Sequence, residues 1–546
     1  MIVTGLILFI CIIFSFMTRI RIPEIKDRSA TLLTVKNPKP GFYTIGRNWL
    51  KKSNSGLWEL YIEGKPFERG VINGKLTESL IELQEQAFIS QIGKLIPSKT
   101  YLKFLKYFIY WFNRDLDKYI TEEYQEEIYG ISLSASDKYN FIGSNYKRIL
   151  NYHSAHDIGH ALQNMHLVGC TSFGTWAGRS KDSTLIIGRN FDFYVGDDFA
   201  KNKIVCFEKP DQGYPFMMIT WGGMIGAVSG MNEKGISVTI NAAPSGIPWS
   251  ARTPISILAR EILQYSTNIH EALEIAKKRE TFVSESILVG SAADNKAVII
   301  EKTPERTACY DPGKDYIICS NHFQDKQFMD LPKHAKDRQE SPTVYRYKRV
   351  LQDITNQENL DPVSVAEILR DRSGLNGKAI GNGNEKAINQ LICHHSVIFE
   401  PAKGLVWVST DPYQLGPYIC YDVFKIFHTF AGLQRPVEIS EPDKVIPADS
   451  FYFSSGYAHF TRYRAMRETL KNATSGGLLL NGSFIDEFTS LNPDLYEGYE
   501  LAGDYYLRHH KTGKAGVYFR KALEKEIPRM DEKRKIIHKL CSCTIN

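Results

Sequence analysis

The sequence predicts an α+β fold in which sheets are covered by helices, and three observations carry that expectation. Short β-branched apolar runs bounded by turn residues recur through the middle of the chain, at residues 184–187, 236–240 and 286–318. Two segments with helical apolar spacing, residues 255–263 and 268–278, stand between them. At 546 residues and 43% hydrophobic content, the chain has enough apolar mass for a sizeable core and more than one domain. Strands, then two helices, then more strands fit a layered α+β sandwich.

The elements follow in order. Residues 2–17 form an almost unbroken apolar run ahead of Arg19 and Arg21. We read residues 1–22 as an export signal or short membrane anchor leading outward to the cell envelope, with the membrane as a partner. Sixteen residues is just short of the ~17–25 of a spanning helix. Residues 23–169 read mostly helical, with helical spacing at 76–84 and an aromatic-rich continuation at 104–110. Phe108, Trp111 and Phe112 are candidates for an acyl pocket or for plain core. The segment ends with His153, His156, His160 and His166. His156-Asp157-Ile158-Gly159-His160 is one carboxylate away from a His-Glu-x-x-His zinc motif, so a zinc hydrolase on His156 and His160 is the rival chemistry, and a non-catalytic envelope scaffold using the C-terminal hairpin is the rival without chemistry.

Val168-Gly169-Cys170-Thr171-Ser172-Phe173 then presents a cysteine behind a glycine. A thiolate needs a base, and the α-amine of a terminal cysteine, with a pKa of roughly 7.7–8.0, supplies one. Cys170 would gain that amine by cutting the bond after Gly169, whose missing side chain tolerates a distorted backbone. The strand at 184–187 delivers Arg189 and Asp192 just beyond its end, the Arg to favour thiolate and the Asp to hold the new ammonium. The turn cluster 230–235 joins residues 225–228 and 236–240 as a hairpin, closed by Asn241. Asn321 follows the apolar run 316–319, and amides at strand ends are candidate oxyanion donors.

Together these residues resemble the N-terminal-nucleophile (Ntn) hydrolases, and within them the penicillin acyltransferase family, peptidase family C45. Its relatives include choloylglycine hydrolases and acid-ceramidase-like amidases. Tyr61-Ile62-Glu63-Gly64-Lys65-Pro66-Phe67-Glu68-Arg69-Gly70 and Glu126-Glu127-Ile128-Tyr129-Gly130-Ile131 look like the family's opening motifs. Residues 286–289, 298–301 and 396–399 resemble its later strands. The resemblance covers about residues 55–430 and implies an αββα sandwich. It makes Cys170 the nucleophile, Arg189 and Asp192 its partners, and Asn241 and Asn321 the oxyanion site. It makes Arg346 the arginine that closes the constellation, with Arg349 one helical turn away as the alternative. The interval from Cys170 to Arg189 is a few residues longer than the family's, taken up by a turn at 178–182. The implied organisation is an anchor (1–22), a helical pro-segment or small subunit (23–169), a catalytic core (170–435) and a helical extension (436–546). The substrate would be a small-molecule acyl donor (amide, ester or acyl-CoA), with no metal or organic cofactor.

The C-terminal residues 499–523 read as one tetratricopeptide-type helical hairpin, too few repeats for a solenoid, expected to cap the enzyme or dock a protein partner. With 67 basic and 61 acidic residues and no dominating basic block, nucleic acid is not expected as a partner. Nine thinly spread cysteines, none in a Cys-x-x-Cys pair, indicate neither a disulfide scaffold nor a structural zinc site.

Overall fold

The computed structural model describes residues 9, 12–95, 98–154, 157, 169–193, 196–244 and 250–544. Two stacked sheets form its centre. The larger runs β1 (Lys36–Lys39), β2 (Phe42–Ile45), β3 (Asn48–Lys52), β4 (Trp58–Gly64), β7 (Ile204–Pro210), β8 (Phe216–Thr220), β9 (Ser229–Asn232), β10 (Ile236–Ala242), β11 (Glu285–Ser291), β12 (Lys296–Lys302), β13 (Thr307–Tyr310). The smaller runs β14 (Tyr316–Cys319), β5 (Thr171–Thr175), β6 (Ile186–Phe191), β15 (His395–Glu400), β16 (Leu405–Ser409), β17 (Tyr418–Asp422).

Strand alternation sets the layers, because successive side chains leave opposite faces. On β10, Ile236, Val238 and Ile240 join Leu258, Ile262 and Ala272 from helices Ile255–Tyr265 and Ile269–Lys278. The other face of this sheet carries Val205, Phe207 and Leu288, which pack on Ile187, Val397 and Phe399 of the small sheet. The outer face of the small sheet, through Phe173 and Ile398, covers Val350, Ile354 and Val365 of helices Thr343–Thr355 and Pro362–Leu369. The order is helix, sheet, sheet, helix.

One expectation from sequence needs correction and another, a mostly helical segment before Cys170, holds but is incomplete. Gly230, Met231 and Asn232 are strand residues of β9, not a turn; Asn232 Oδ1 then accepts the N–H groups of Lys234 and Ile236 and reverses the chain around Gly235, at φ 76°. The segment read as mostly helical opens with four strands. Its aromatic and β-branched residues from Phe42 to Ile62 are punctuated by Gly46 and Gly56 at positive φ, which is hairpin chemistry. Helices follow only from Pro66–Leu95 onward.

β4 lies parallel to β7 from Trp58 opposite Ile204 to Gly64 opposite Pro210, so the chain before Cys170 is built into the main sheet. A buried ionic cluster reinforces the join. Glu127 accepts from Arg69 at 2.8 Å and from Arg260 at 2.8 and 3.0 Å, and Glu208 also faces both arginines. The two arginines hold the Glu127 carboxyl below the usual range despite its burial. Removing one partner of such a cluster leaves buried charge uncompensated, at a cost of about 3–5 kcal/mol. Glu127→Gln is therefore expected to lower unfolding free energy by that order, read as a shifted denaturant midpoint.

The C-terminal helices Ser455–Gly476, Gly482–Ser490, Tyr496–Arg508, Thr512–Leu523 and Met530–Thr544 share one core that includes Tyr463, Phe488, Ala502 and Phe519. Leu391 and Leu415 from the sheet domain enter the same cluster and fix the helices to it. Among the described residues, no helix is long and apolar enough to cross a membrane. Most of the apolar run at residues 2–11 lies outside the described residues.

Candidate active site

Cys170 directly precedes β5 and is fully buried. β5 pairs with β6 so that Ser172 faces Arg189, which brings the Arg189 guanidinium beside the thiol with Nη2 3.7 Å from Sγ. Backbone carbonyls fix that guanidinium: Nη2 donates to Ile240 O at 2.6 Å and Nη1 to Val228 O at 2.9 Å. Nη1 also meets the Ser229 hydroxyl, which touches His395 Nε2 at 2.8 Å. Burial pushes the Cys170 thiol up to about 11, against the pull of Arg189. Burial likewise pushes the Asp192 carboxyl up to about 7, with Arg346 and Arg189 opposing it. A thiol beside a carboxylate that titrates near neutrality is an arrangement for proton transfer.

Asn241 and Asn321 lie on the same side of the sheets. Asn241 Nδ2 donates to Cys319 O at 3.0 Å and its Oδ1 accepts from Ser172 Oγ at 2.9 Å. Asn321 Nδ2 donates to Ala242 O at 2.9 Å, and its Oδ1 accepts from Arg346 Nη2 at 2.5 Å. Arg346 is buried and its charge reaches Asp192, whereas Arg349 is turned to Asp353 and Asp371. The structure thus brings Arg346 to the site and leaves Arg349 outside it.

Gly169 is constrained by its surroundings. It does not have positive φ. Its need for hydrogen comes from packing instead, because an added Cβ would sit 2.7 Å from Gln390 Nε2. Gln390 Nε2 donates to Gly169 O at 2.7 Å and approaches Asp192 Oδ2 at 3.3 Å, while Gly169 N donates to Asp192 O at 2.9 Å. Gly169 is thus held through both its amide and its carbonyl oxygen.

A cavity of about 380 Å³ opens beside Gly169. Its near wall includes Asn321 and Arg346, and its far wall is C-terminal helix, through Tyr463, Arg467 and Arg529. These C-terminal side chains carried no chemical role in the sequence reading and are part of the site. Phe108, Trp111 and Phe112 do not line it: Phe112 packs against Phe282 at 5.5 Å and Trp111 is partly exposed. His153 is a structural histidine, contacting Ile149 O through Nδ1 at 2.9 Å and accepting the Ile225 N–H at Nε2 at 3.0 Å. His156, His160 and His166 lie outside the described residues. Among those described, no group of three His, Cys, Asp or Glu could hold a metal.

Residues 178–412 match the model of a family described as acyl-coenzyme A:6-aminopenicillanic acid acyl-transferase. That stretch, less than half of the chain, is similar to the penicillin acyltransferases. The match begins after Cys170 and contains Arg189, Asp192, Asn241, Asn321, Arg346 and Gln390. The chain is also 26% identical over 290 residues to an N-acylethanolamine-hydrolyzing acid amidase of Caenorhabditis elegans, covering 51% of this chain and 76% of that one. It is 22% identical over 318 residues to an uncharacterized protein of Archaeoglobus fulgidus, covering 55% of this chain and spanning about half of the archaeal protein, 51%. Among solved structures, the nematode amidase aligns with TM-score 0.32 at 18% identity over 43% of this chain and 93% of its own. A conjugated bile acid hydrolase from Clostridium perfringens aligns with TM-score 0.30 at 14% identity over 44% and 89%.

Proposed function

We propose that this chain is an Ntn-type amidase or acyltransferase that frees Cys170 by cutting its own backbone and then breaks a non-peptide carbon–nitrogen bond through an acyl-enzyme. The observation that carries the reading is the approach of Arg189 Nη2 to Cys170 Sγ, 3.7 Å, with the Asp192 carboxyl raised to about 7 and a cavity opening beside Gly169. Once free, the Cys170 α-amine takes the thiol proton and the thiolate attacks the substrate carbonyl. Asp192 holds the ammonium. Asn241 and Asn321 are the assigned oxyanion donors, each worth about 2.7–4 kcal/mol of barrier, and Arg346 orients Asn321 through its Oδ1. The amine product departs carrying the proton, and water or a second amine resolves the thioester.

The cavity volume falls within the ~300–1,000 Å³ of small-molecule sites. Its far wall supports reading the C-terminal helices as a cap over the acyl-donor site in preference to a dock for a protein. The related proteins supply the substrate classes to try, N-acylethanolamines and conjugated bile acids. Wild-type protein should release amine from at least one such amide, and Cys170→Ser should release it far more slowly. Activity lost to chelators and retained in Cys170→Ser would instead favour zinc chemistry at His156 and His160.

The membrane reading for residues 1–22 gains support from helix Lys99–Phe112, which exposes Phe104, Tyr107 and Trp111. Phe14 lies against Tyr107 and Trp111, with ring centroids 5.9 and 6.3 Å apart, so the two segments share one apolar face. Such a face rests on a lipid surface without spanning it. Full-length protein should float with phosphatidylglycerol vesicles, and Phe104→Ser with Tyr107→Ser should weaken that at least fivefold; equal flotation would remove the helix from the contact.

A further inference from the structure

We infer that Gln390 is the oxyanion donor for self-cleavage, a role distinct from substrate turnover and resting on the reading of Cys170 above. Its side chain is 2% exposed and its Nε2 donates to the carbonyl oxygen of Gly169, the residue whose carbon the sulfur must attack, at 2.7 Å. Asn241 and Asn321 direct their recorded amide donations to Cys319 O and Ala242 O. A preorganised donor acts where charge develops, and here that atom is Gly169 O. The same amide lies 3.3 Å from Asp192 Oδ2, so one side chain links the reacting carbonyl to the nearby base.

The chemistry balances with water alone. The Cys170 thiol proton passes to the Asp192 carboxylate as Sγ bonds to the Gly169 carbonyl carbon. The carbonyl electron pair moves onto oxygen, where Gln390 Nε2–H holds it. Collapse of this intermediate breaks the carbon–nitrogen bond to Cys170, and the departing nitrogen takes the proton from Asp192. The resulting thioester is hydrolysed, leaving a Gly169 carboxylate and a Cys170 with free thiol and free amine. Gly169 matters because any larger residue would drive the Gln390 amide from this position.

The test follows cleavage of freshly made full-length chain over time by denaturing gel and intact mass. Gln390→Ala should slow the cut about 10²–10³-fold, the usual loss for one oxyanion donor. Gln390→Glu keeps the shape but removes the donor when ionised, so it should be equally slow near pH 8 and recover partly near pH 5, relative to wild type at the same pH. Gly169→Ala leaves Gln390 in place and should slow the cut by displacing its amide. Each uncut variant should melt within a few degrees of uncut Cys170→Ala, which separates lost chemistry from lost folding. Wild-type cleavage rates in both Gln390→Glu and Gly169→Ala would overturn the role of Gln390 while leaving Cys170 as nucleophile. A wild-type chain that never cuts would overturn both.

Discussion

Cys170→Ala is expected to yield an intact chain with no amide-cleaving activity. The substitution removes the sulfur needed for self-cleavage and for the acyl-enzyme. Loss of a nucleophile of this kind typically costs around 10⁶-fold in turnover. The fold should survive, because Cys170 contributes a small buried side chain to a cluster that also holds Phe191, Ile240 and Leu258. Cys170→Ser gives the graded form of the experiment, since a hydroxyl keeps the shape and lacks the thiol's nucleophilicity. Melting curves of the two variants should coincide within a few degrees, and their activity should not reappear at higher protein concentration.

Asp192→Asn carries the second large effect. Burial raises the Asp192 carboxyl from its ordinary value near 3.8 to about 7, so it is protonated below that pH and becomes a base only above it. The sign for self-cleavage follows: the rate should climb about tenfold per unit as pH rises toward 7 and flatten beyond it, a single-proton limb. Asn cannot accept the thiol proton, and the expected loss is about 10²–10⁴-fold with the limb near 7 abolished. The same substitution removes a buried group that must ionise, so it should not destabilise the chain near pH 8. A variant that keeps the wild-type profile would assign the limb to another group and remove Asp192 from proton transfer.

The parts of this site legible in the sequence are those where chain-local chemistry is strong. The β-branched run at 184–187 pointed to Arg189 and Asp192, although the strand starts later and continues through Phe191, so Arg189 lies inside β6 rather than beyond its end and only Asp192 follows it; Asn321 follows another run. The helix ahead of Lys278 was legible because Asn268 caps it, accepting the Glu271 N–H. Gln390 was not legible: it reaches Gly169 across 221 residues of chain, and no local pattern relates the two. The strands before Pro66 were missed because the helical pattern of residues 76–84 dominated that segment, although Gly46 and Gly56 already marked the turns. The C-terminal helices present their polar side chains to the cavity only through tertiary packing. Tyr463 and Arg467 sit on a helix whose apolar spacing says only that one face is buried.

The four strands before Pro66 also bear on the proposed processing. A fragment that supplied β1–β4 to the main sheet, with Arg69 and Glu127 locked to Arg260 and Glu208, would stay bound as a small subunit if the chain is cut at Cys170. The two halves should stay together through native purification and part only in denaturant.

The most direct test of the central claim is N-terminal sequencing, with intact mass, of the larger fragment resolved from purified wild-type protein on a denaturing gel. The account predicts a fragment of residues 170–546 that begins Cys-Thr-Ser-Phe and is absent in Cys170→Ala. A wild-type chain that is fully active and uncut between Gly169 and Cys170 would contradict it.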